Sequence, residues 1–209
     1  NGEIKMHQNN SDNWKITFVD TGLNTMTGGR LLKLKQYIGE EKFLLTYGDG
    51  LANVNINKLL EFHSENKKMV TITAVRPAAR FGEIKILKNT HNVSSFIEKP
   101  RVENGWINGG FFVCEPELFE YLNDDSTVLE HEPLQQICLE NELVAYKHDG
   151  FWQCMDNKKD HDYLNNLWEE NKRYWLYPQC ITNISDKTNV YKAHTNKKEF
   201  FLNVNNLIS

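Results

Sequence analysis

The chain has 209 residues, 40% of them hydrophobic and 25% charged, a composition that fills a sizeable core and excludes a disordered or fibrous protein. With 24 basic against 28 acidic side chains the formal net charge is −4, and no dense Lys/Arg stripe offsets it, which argues against nucleic acid as the main partner. The longest apolar runs, such as Phe43-Leu44-Leu45 and Gly110-Phe111-Phe112-Val113, fall far short of the roughly 20 residues that cross a bilayer, so no membrane partner is expected.

In chain order, Asn1 to Met6 carries neither an apolar signal segment nor a starting Met, and a truncated N-terminus is the expectation. Lys15–Val19 reads as a strand. Thr25-Met26-Thr27-Gly28-Gly29-Arg30 is a hydroxyl- and glycine-rich turn opening a helix from Leu31 to Ile38. Phe43–Tyr47 is the next strand, and Ile56, Leu59, Leu60 and His63 then recur at helical spacing before a strand at Val70–Val75, which together predict a βαβ crossover. His63, on that apolar face, reads as a satisfied core histidine rather than a ligand. Further strands are predicted at Ile84–Leu87, Val93–Ile97, Gly110–Val113 and Leu143–Tyr146. One helix should begin after Pro133, with Leu134, Ile137 and Cys138 on one face. Another should run from about Lys158 to Arg173, burying Leu164, Leu167 and Trp168. Cys114, Cys138, Cys154 and Cys180 are widely spaced without a C-x-x-C, which argues against zinc and a disulfide framework and for reduced thiols in the cytoplasm. From Tyr177 the chain turns rich in Asn, Lys and Thr, so residues 1–176 are expected to form the domain and 177–209 a divergent polar tail.

Several segments have the chemistry of a site. In Phe43-Leu44-Leu45-Thr46-Tyr47-Gly48-Asp49-Gly50 an apolar strand delivers a carboxylate at its carboxyl end between two glycines, a placement suited to a metal–phosphate complex and equally readable as a plain turn. Asp156, at the end of Gly150-Phe151-Trp152-Gln153-Cys154-Met155-Asp156, is either a helix N-cap or a second carboxylate at the same edge. The amides and hydroxyls of the Thr25–Arg30 turn, with the Arg30 guanidinium, suit phosphate, ribose or a base edge, although Gly-Gly also marks ordinary turns. Glu98-Lys99-Pro100 offers a hydroxyl acceptor beside a positive charge, with a surface ion pair as the bland equivalent. Asn108-Gly109-Gly110 opens another strand, and Trp152 is either an apolar wall for a sugar face or plain core.

Taken in order, Val19-Asp20-Thr21-Gly22, Met26-Thr27-Gly28-Gly29-Arg30, Thr46-Tyr47-Gly48-Asp49-Gly50, Arg80-Phe81-Gly82, Glu98-Lys99-Pro100, Ile107-Asn108-Gly109-Gly110-Phe111-Phe112 and Gly150–Asp156 resemble the glucose-1-phosphate cytidylyltransferases of the sugar-nucleotidyltransferase family over about Lys15 to Trp175. The resemblance implies an α/β, Rossmann-like nucleotide-diphospho-sugar transferase fold, a mixed sheet covered by helices. It also implies transfer from CTP to α-D-glucose 1-phosphate, giving CDP-glucose and pyrophosphate for bacterial surface-polysaccharide (O-antigen) synthesis, with Mg²⁺. Asp49 and Asp156 would be the catalytic metal ligands, with Gly48 beside a phosphate. Thr25 and Arg30 match nucleotide contacts, and Glu98 and Lys99 match sugar-hydroxyl and sugar-phosphate contacts. Asn108 and Gly109 would lie along the glucose. The family's glycine-rich N-terminal loop has no counterpart here, from which follow the expectations of an incomplete triphosphate site, low turnover and an uncovered sheet edge favouring association, a homo-oligomer included. A sister enzyme using UTP or dTTP and a non-catalytic sugar-phosphate-binding fragment are the competing readings.

Overall fold

A computed structural model describes residues 15–77, 83–97 and 105–176. Its elements are α1 (Thr27–Ile38), β1 (Phe43–Thr46), β2 (Gly50–Ala52), α2 (Ile56–Asn66), β3 (Val70–Val75), β4 (Glu83–Ile86), β5 (Val93–Ile97), β6 (Ile107–Cys114), α3 (Glu132–Leu139), β7 (Leu143–His148), β8 (Trp152–Cys154) and α4 (Lys158–Glu169). The main sheet has the order β1-β6-β3-β7. In it β6 runs antiparallel to both β1 and β3, while β7 is parallel to β3. Hence β1, β3 and β7 all point one way with β6 reversed among them. The expected βαβ crossover is present, with β6 inserted between its two strands.

Alternation along β6 divides the core. Phe112 packs with Leu31 of α1, Leu118, Phe119 and Ile137 of α3, whereas its neighbour Val113 packs with Val54 and Leu59 of α2. Successive strand residues face opposite sides of a sheet, so α1 and α3 cover one face and α2 the other. A sheet covered on both faces needs a largely buried central strand, and five of the six β3 positions are buried, the Thr73 hydroxyl among them without a hydrogen-bond partner among the described residues.

Helix α2 begins where the Asn55 side chain accepts the Lys58 amide at 3.1 Å, and it ends at Lys67 in the left-handed conformation. His63 on its inner face is 1% exposed, and its ring bridges the Thr71 hydroxyl at 2.8 Å and the Glu115 carboxylate at 2.9 Å, as a satisfied core histidine should. The N-cap of α4 is Asn157, whose side chain accepts the Asp160 amide, so the capping alternative for Asp156 is corrected.

Three further expectations are revised. Residues 15–19 form no strand, though Thr17 and Val19 line a groove with β1. Helix α1 begins at Thr27 rather than Leu31, and it takes in Gly28 and Gly29 because their amides dock onto the Thr127 carbonyl. β2 and β8 are too short for a periodic signal and pair antiparallel as a separate ribbon, with Gly50 opposite Cys154. Among the described residues no helix is long and apolar enough to cross a membrane.

Candidate active site

The three parallel strands end on one edge, and β6, being reversed, begins there. That topology puts Tyr47-Gly48-Asp49 after β1, Asn108-Gly109 at the start of β6, and the loop from β7 into β8 together, at the carboxyl edge where ligands of open α/β sheets collect. The β2–β8 ribbon then ties the two carboxylate-bearing segments to each other. The Met155 amide donates to the Asp49 carbonyl at 2.9 Å, so Asp156 follows the residue bonded across to Asp49. Asp49 is half-buried, and its carboxylate accepts no hydrogen bond and forms no ion pair among the described residues. Asp156 is exposed. Its carboxylate lies 3.3 Å from Cys154 Sγ, and its amide donates to Asp160 Oδ2. Ligand atoms of Cys154, Asp156 and Asp160 all lie within 4.8 Å of one another. The carboxylates of that group and of Asp49 are hard oxygen donors of the kind Mg²⁺ takes, while the thiol is a soft donor with no use to it. Asp160 had no distinguishing signal in the sequence beyond its place in the first turn of a helix.

Close packing explains the glycines of β6. A Cβ on Gly109 would lie 2.8 Å from Val75 and 2.9 Å from the Thr73 carbonyl, and Gly110 has φ of +78° with Tyr47 Cδ2 only 2.6 Å from where its Cβ would be. The Trp152 indole N–H donates to the Gly109 carbonyl at 2.8 Å, which fixes this half-buried ring beside the start of β6. The expected sugar-lining residues Asn108, Gly109 and Trp152 are therefore brought together.

Two polar residues that the sequence reading passed over, Tyr47 and Glu130, anchor this corner. The Tyr47 hydroxyl donates to Glu130 Oε1 at 2.5 Å and accepts from Asn108 Nδ2 at 3.0 Å, while Asn108 Oδ1 accepts the Gly110 amide at 2.8 Å. Glu130 Oε2 accepts from the Thr27 hydroxyl at 2.7 Å, and Thr27 in turn accepts the Leu129 amide. Burial, and after it the Glu130 carboxylate, push the ionisation of the Tyr47 phenol far above its ordinary range, so it stays a donor. Glu130 lies in no motif, and its contacts across 83 and 103 residues are what mark it.

The Thr25–Arg30 turn is built differently from the expectation. The amides of Gly28 and Gly29 donate to the Thr127 carbonyl, and that of Met26 to the Asp125 carbonyl. They are consumed by the chain itself, which corrects the reading of these amides as a phosphate cradle. Thr25 is buried, with its hydroxyl donating to the Thr21 carbonyl at 2.6 Å and approached by Lys33 Nζ at 3.2 Å. Arg30 donates to the Thr21 hydroxyl at 2.7 Å and the Leu23 carbonyl at 3.2 Å, and it lines the groove that runs past Thr46, Tyr47 and Gly48. Glu98, Lys99 and the Arg80-Phe81-Gly82 segment lie outside the described residues. A separate cleft of about 450 Å³ lies at the opposite edge of the sheet, where Lys42, Lys67, Lys68, Glu115 and Glu142 meet, remote from all of these groups.

The sequence profile of the family described as Nucleotidyl transferase matches residues 3–176. The chain is 42% identical over 173 residues to a glucose-1-phosphate cytidylyltransferase of Salmonella typhimurium, across 82% of this chain and 66% of that protein. It is 41% identical over 175 residues to a probable glucose-1-phosphate cytidylyltransferase of Bacillus subtilis, across 83% of this chain and 67% of that one. Thus the chain spans about two thirds of the length of these relatives. Among solved structures, a UDP-glucose pyrophosphorylase in complex with UDP-glucose superposes with a TM-score of 0.54 at 15% identity, across 74% of this chain and 66% of that chain, a likeness of fold.

Proposed function

We propose that this chain, which belongs to the nucleotidyl transferase family, is a nucleotidyltransferase that joins CTP to α-D-glucose 1-phosphate, giving CDP-glucose and pyrophosphate. The observation that supports this best is the β2–β8 ribbon, which holds the Asp49 and Asp156 segments against each other at the carboxyl edge of the sheet. The 41–42% identity to glucose-1-phosphate cytidylyltransferases supports this chemistry over other uses of such an edge.

In this reading the phosphate oxygen of the sugar attacks the α-phosphorus of CTP in line and pyrophosphate leaves. No protein nucleophile is needed, so the chain's task is to orient two polyanions and neutralise their charge. Asp49 and Asp156 would hold Mg²⁺, which when bound supplies charge neutralisation at the phosphates, and Gly48 would let the backbone approach a phosphate. Asn108 and Gly109 would line the sugar beside the Trp152 ring, and Glu98 and Lys99 would bind a sugar hydroxyl and the sugar phosphate. Thr25 and Arg30 would bound the nucleotide side. A product of this kind would serve surface-polysaccharide synthesis in the cytoplasm.

The test is pyrophosphate release from glucose 1-phosphate with CTP, UTP or dTTP in turn. Release with CTP at least tenfold above the others is expected. Preference for UTP or dTTP would assign a sister activity, and binding of glucose 1-phosphate without release from any nucleotide would leave a non-catalytic binding unit.

A further inference from the structure

An asparagine side chain has two N–H donors and two carbonyl lone pairs. In Asn108 one donor goes to the Tyr47 hydroxyl and one lone pair takes the Gly110 amide. Among the described residues one donor and one acceptor remain, on a carboxamide whose two ends can no longer be exchanged by a flip, because Gly110 can only donate to it. That leftover pair matches a sugar hydroxyl, which donates once and accepts readily, better than a phosphate oxygen, which only accepts.

What keeps the pair in place lies behind Asn108. A carboxylate at neutral pH accepts only, so the Tyr47 proton must point to Glu130, and the Tyr47 oxygen is left to accept from Asn108. Glu130 is itself fixed by Thr27 at the first turn of α1. The ring of Tyr47 is seated independently of its hydroxyl, edge-on to Phe112 at 5.8 Å and against Gly110, so the hydroxyl is separable from the packing.

We propose that Tyr47 and Glu130 are positioning residues for sugar recognition: Glu130 orients the Tyr47 hydroxyl, and that hydroxyl sets the Asn108 carboxamide so that its free donor and acceptor read one hydroxyl of the sugar. The proposal deepens the reading of Asn108 as a sugar contact and rests on it. The relay also joins the first turn of α1 to the start of β6, so the two ligand-facing sides share one hydrogen-bonded frame.

The experiment is calorimetric titration of the full chain with glucose 1-phosphate and, separately, CTP, for wild type, Tyr47→Phe, Asn108→Ala and the double variant, beside NMR of the Asn108 side-chain amide. Loss of one hydrogen bond to an organised ligand predicts about a tenfold weaker affinity for the sugar phosphate in Tyr47→Phe, with CTP changed by less than about twofold. On the Asn108→Ala background the Tyr47 change should add less than about twofold, because it acts through Asn108. Glu130→Ala should reproduce Tyr47→Phe. Glu130→Gln, whose carbonyl still accepts from Tyr47, should stay within about threefold of wild type. Additive losses, equal weakening of both ligands, or a Gln variant as impaired as the Ala variant would each overturn the relay. If wild type binds no glucose 1-phosphate, the proposed function fails, and the relay is judged on the NMR alone. There, Asn108 amide resonances unchanged by Tyr47→Phe refute it, and displaced ones uphold it.

Discussion

Gly110→Ala probes the contact on which this corner of the site is built. The backbone at Gly110 has φ of +78°, which an L-residue adopts at a cost of about 1 to 2 kcal/mol. The added methyl would fall 2.6 Å from Tyr47 Cδ2 and 3.4 Å from two further ring atoms. Ring atoms cannot yield as a flexible side-chain end does, and overpacking of this kind costs a further 1 to 3 kcal/mol or so. The expected loss is therefore about 2 to 5 kcal/mol, a large share of the 5 to 15 kcal/mol typical of a domain. Gly50→Ala is the matched control. Gly50 has no positive φ and its nearest neighbour to an added Cβ is Phe111 at 3.9 Å, so the change should be within about 1 kcal/mol of neutral. Urea unfolding, followed by far-ultraviolet circular dichroism, measures both. A Gly110→Ala loss below about 1 kcal/mol, or one equal to that of Gly50→Ala, would mean that the Tyr47 ring is not seated against β6. The placement of its hydroxyl between Glu130 and Asn108 would fall with it.

Other outcomes test the remaining parts. Asp49→Asn and Asp156→Asn should each lower pyrophosphate release by at least about a hundredfold while leaving circular dichroism unchanged, since both side chains lie at the strand-end edge rather than in the core. Turnover retained at saturating Mg²⁺ would remove them as ligands. Lys99→Met should weaken glucose 1-phosphate binding by roughly one to two powers of ten, as expected of a charged hydrogen bond worth about 1.5 to 3 kcal/mol, with CTP affinity nearly unchanged in calorimetry. His148 is held below the ordinary histidine range by burial, which outweighs its bond to the Phe151 carbonyl and the nearby Asp149 charge. The unfolded chain therefore takes up this proton first as pH falls through about 6.5, so the stability present above that pH is lost on acidification, by at most about 1.4 kcal/mol per pH unit. A melting temperature for wild type that falls no faster than that of His148→Gln between pH 7.5 and 5.5 would refute it. Burial raises the Glu115 pKa, but its bonds to His63 and Lys42 outweigh this and leave it below the usual glutamate value. The stability it provides is complete above about pH 4.5 and is lost as pH falls further, and Glu115→Gln should flatten that limb of the unfolding curve.

The elements that were legible are those with enough length to show a period. β3, α2 and α3 appear where a β-branched run or helical spacing predicts them, because each packs against the core, although Cys138, expected on the inner face of α3, is exposed. β2 and β8 were not legible, because three-residue strands have no period and exist only through each other. Their pairing is nonetheless what brings the Asp49 and Asp156 segments together, so the sequence supplied the two carboxylates and not the pairing that joins their segments. The strand expected at 15–19 shows the opposite limit. Its residues have strand character, but no pairing for them occurs among the described residues, and a strand is defined by its partner. Tyr47 was visible inside a motif whose flanking glycines drew the attention, whereas Glu130 and Asp160 look like ordinary surface acids in sequence.

The two Gly-Gly pairs show why a glycine signal needs the fold to interpret it. Read as sequence, Gly28-Gly29 marks either a helix start whose amides could hold a phosphate or an ordinary turn, and Gly109-Gly110 marks the start of a strand. In the fold each is close to the chain itself. A Cβ at Gly28 or Gly29 would strike the backbone of Thr127, Asp124 or Asp125 at 2.7 to 2.9 Å, and the amides freed at that helix start already bond the same loop. At Gly109 and Gly110 the obstacles are Val75, Thr73 and the Tyr47 ring. The first pair thus brings the loop that continues to Glu130 against α1, and the second admits the ring whose hydroxyl Glu130 holds. Both serve one corner of the molecule from opposite ends, beside the strand-end edge where the Asp49 and Asn108 side chains lie. In the sugar reading proposed above, recognition at this corner would depend on side-chain orientation, and a hydroxyl set back from the ligand would decide it.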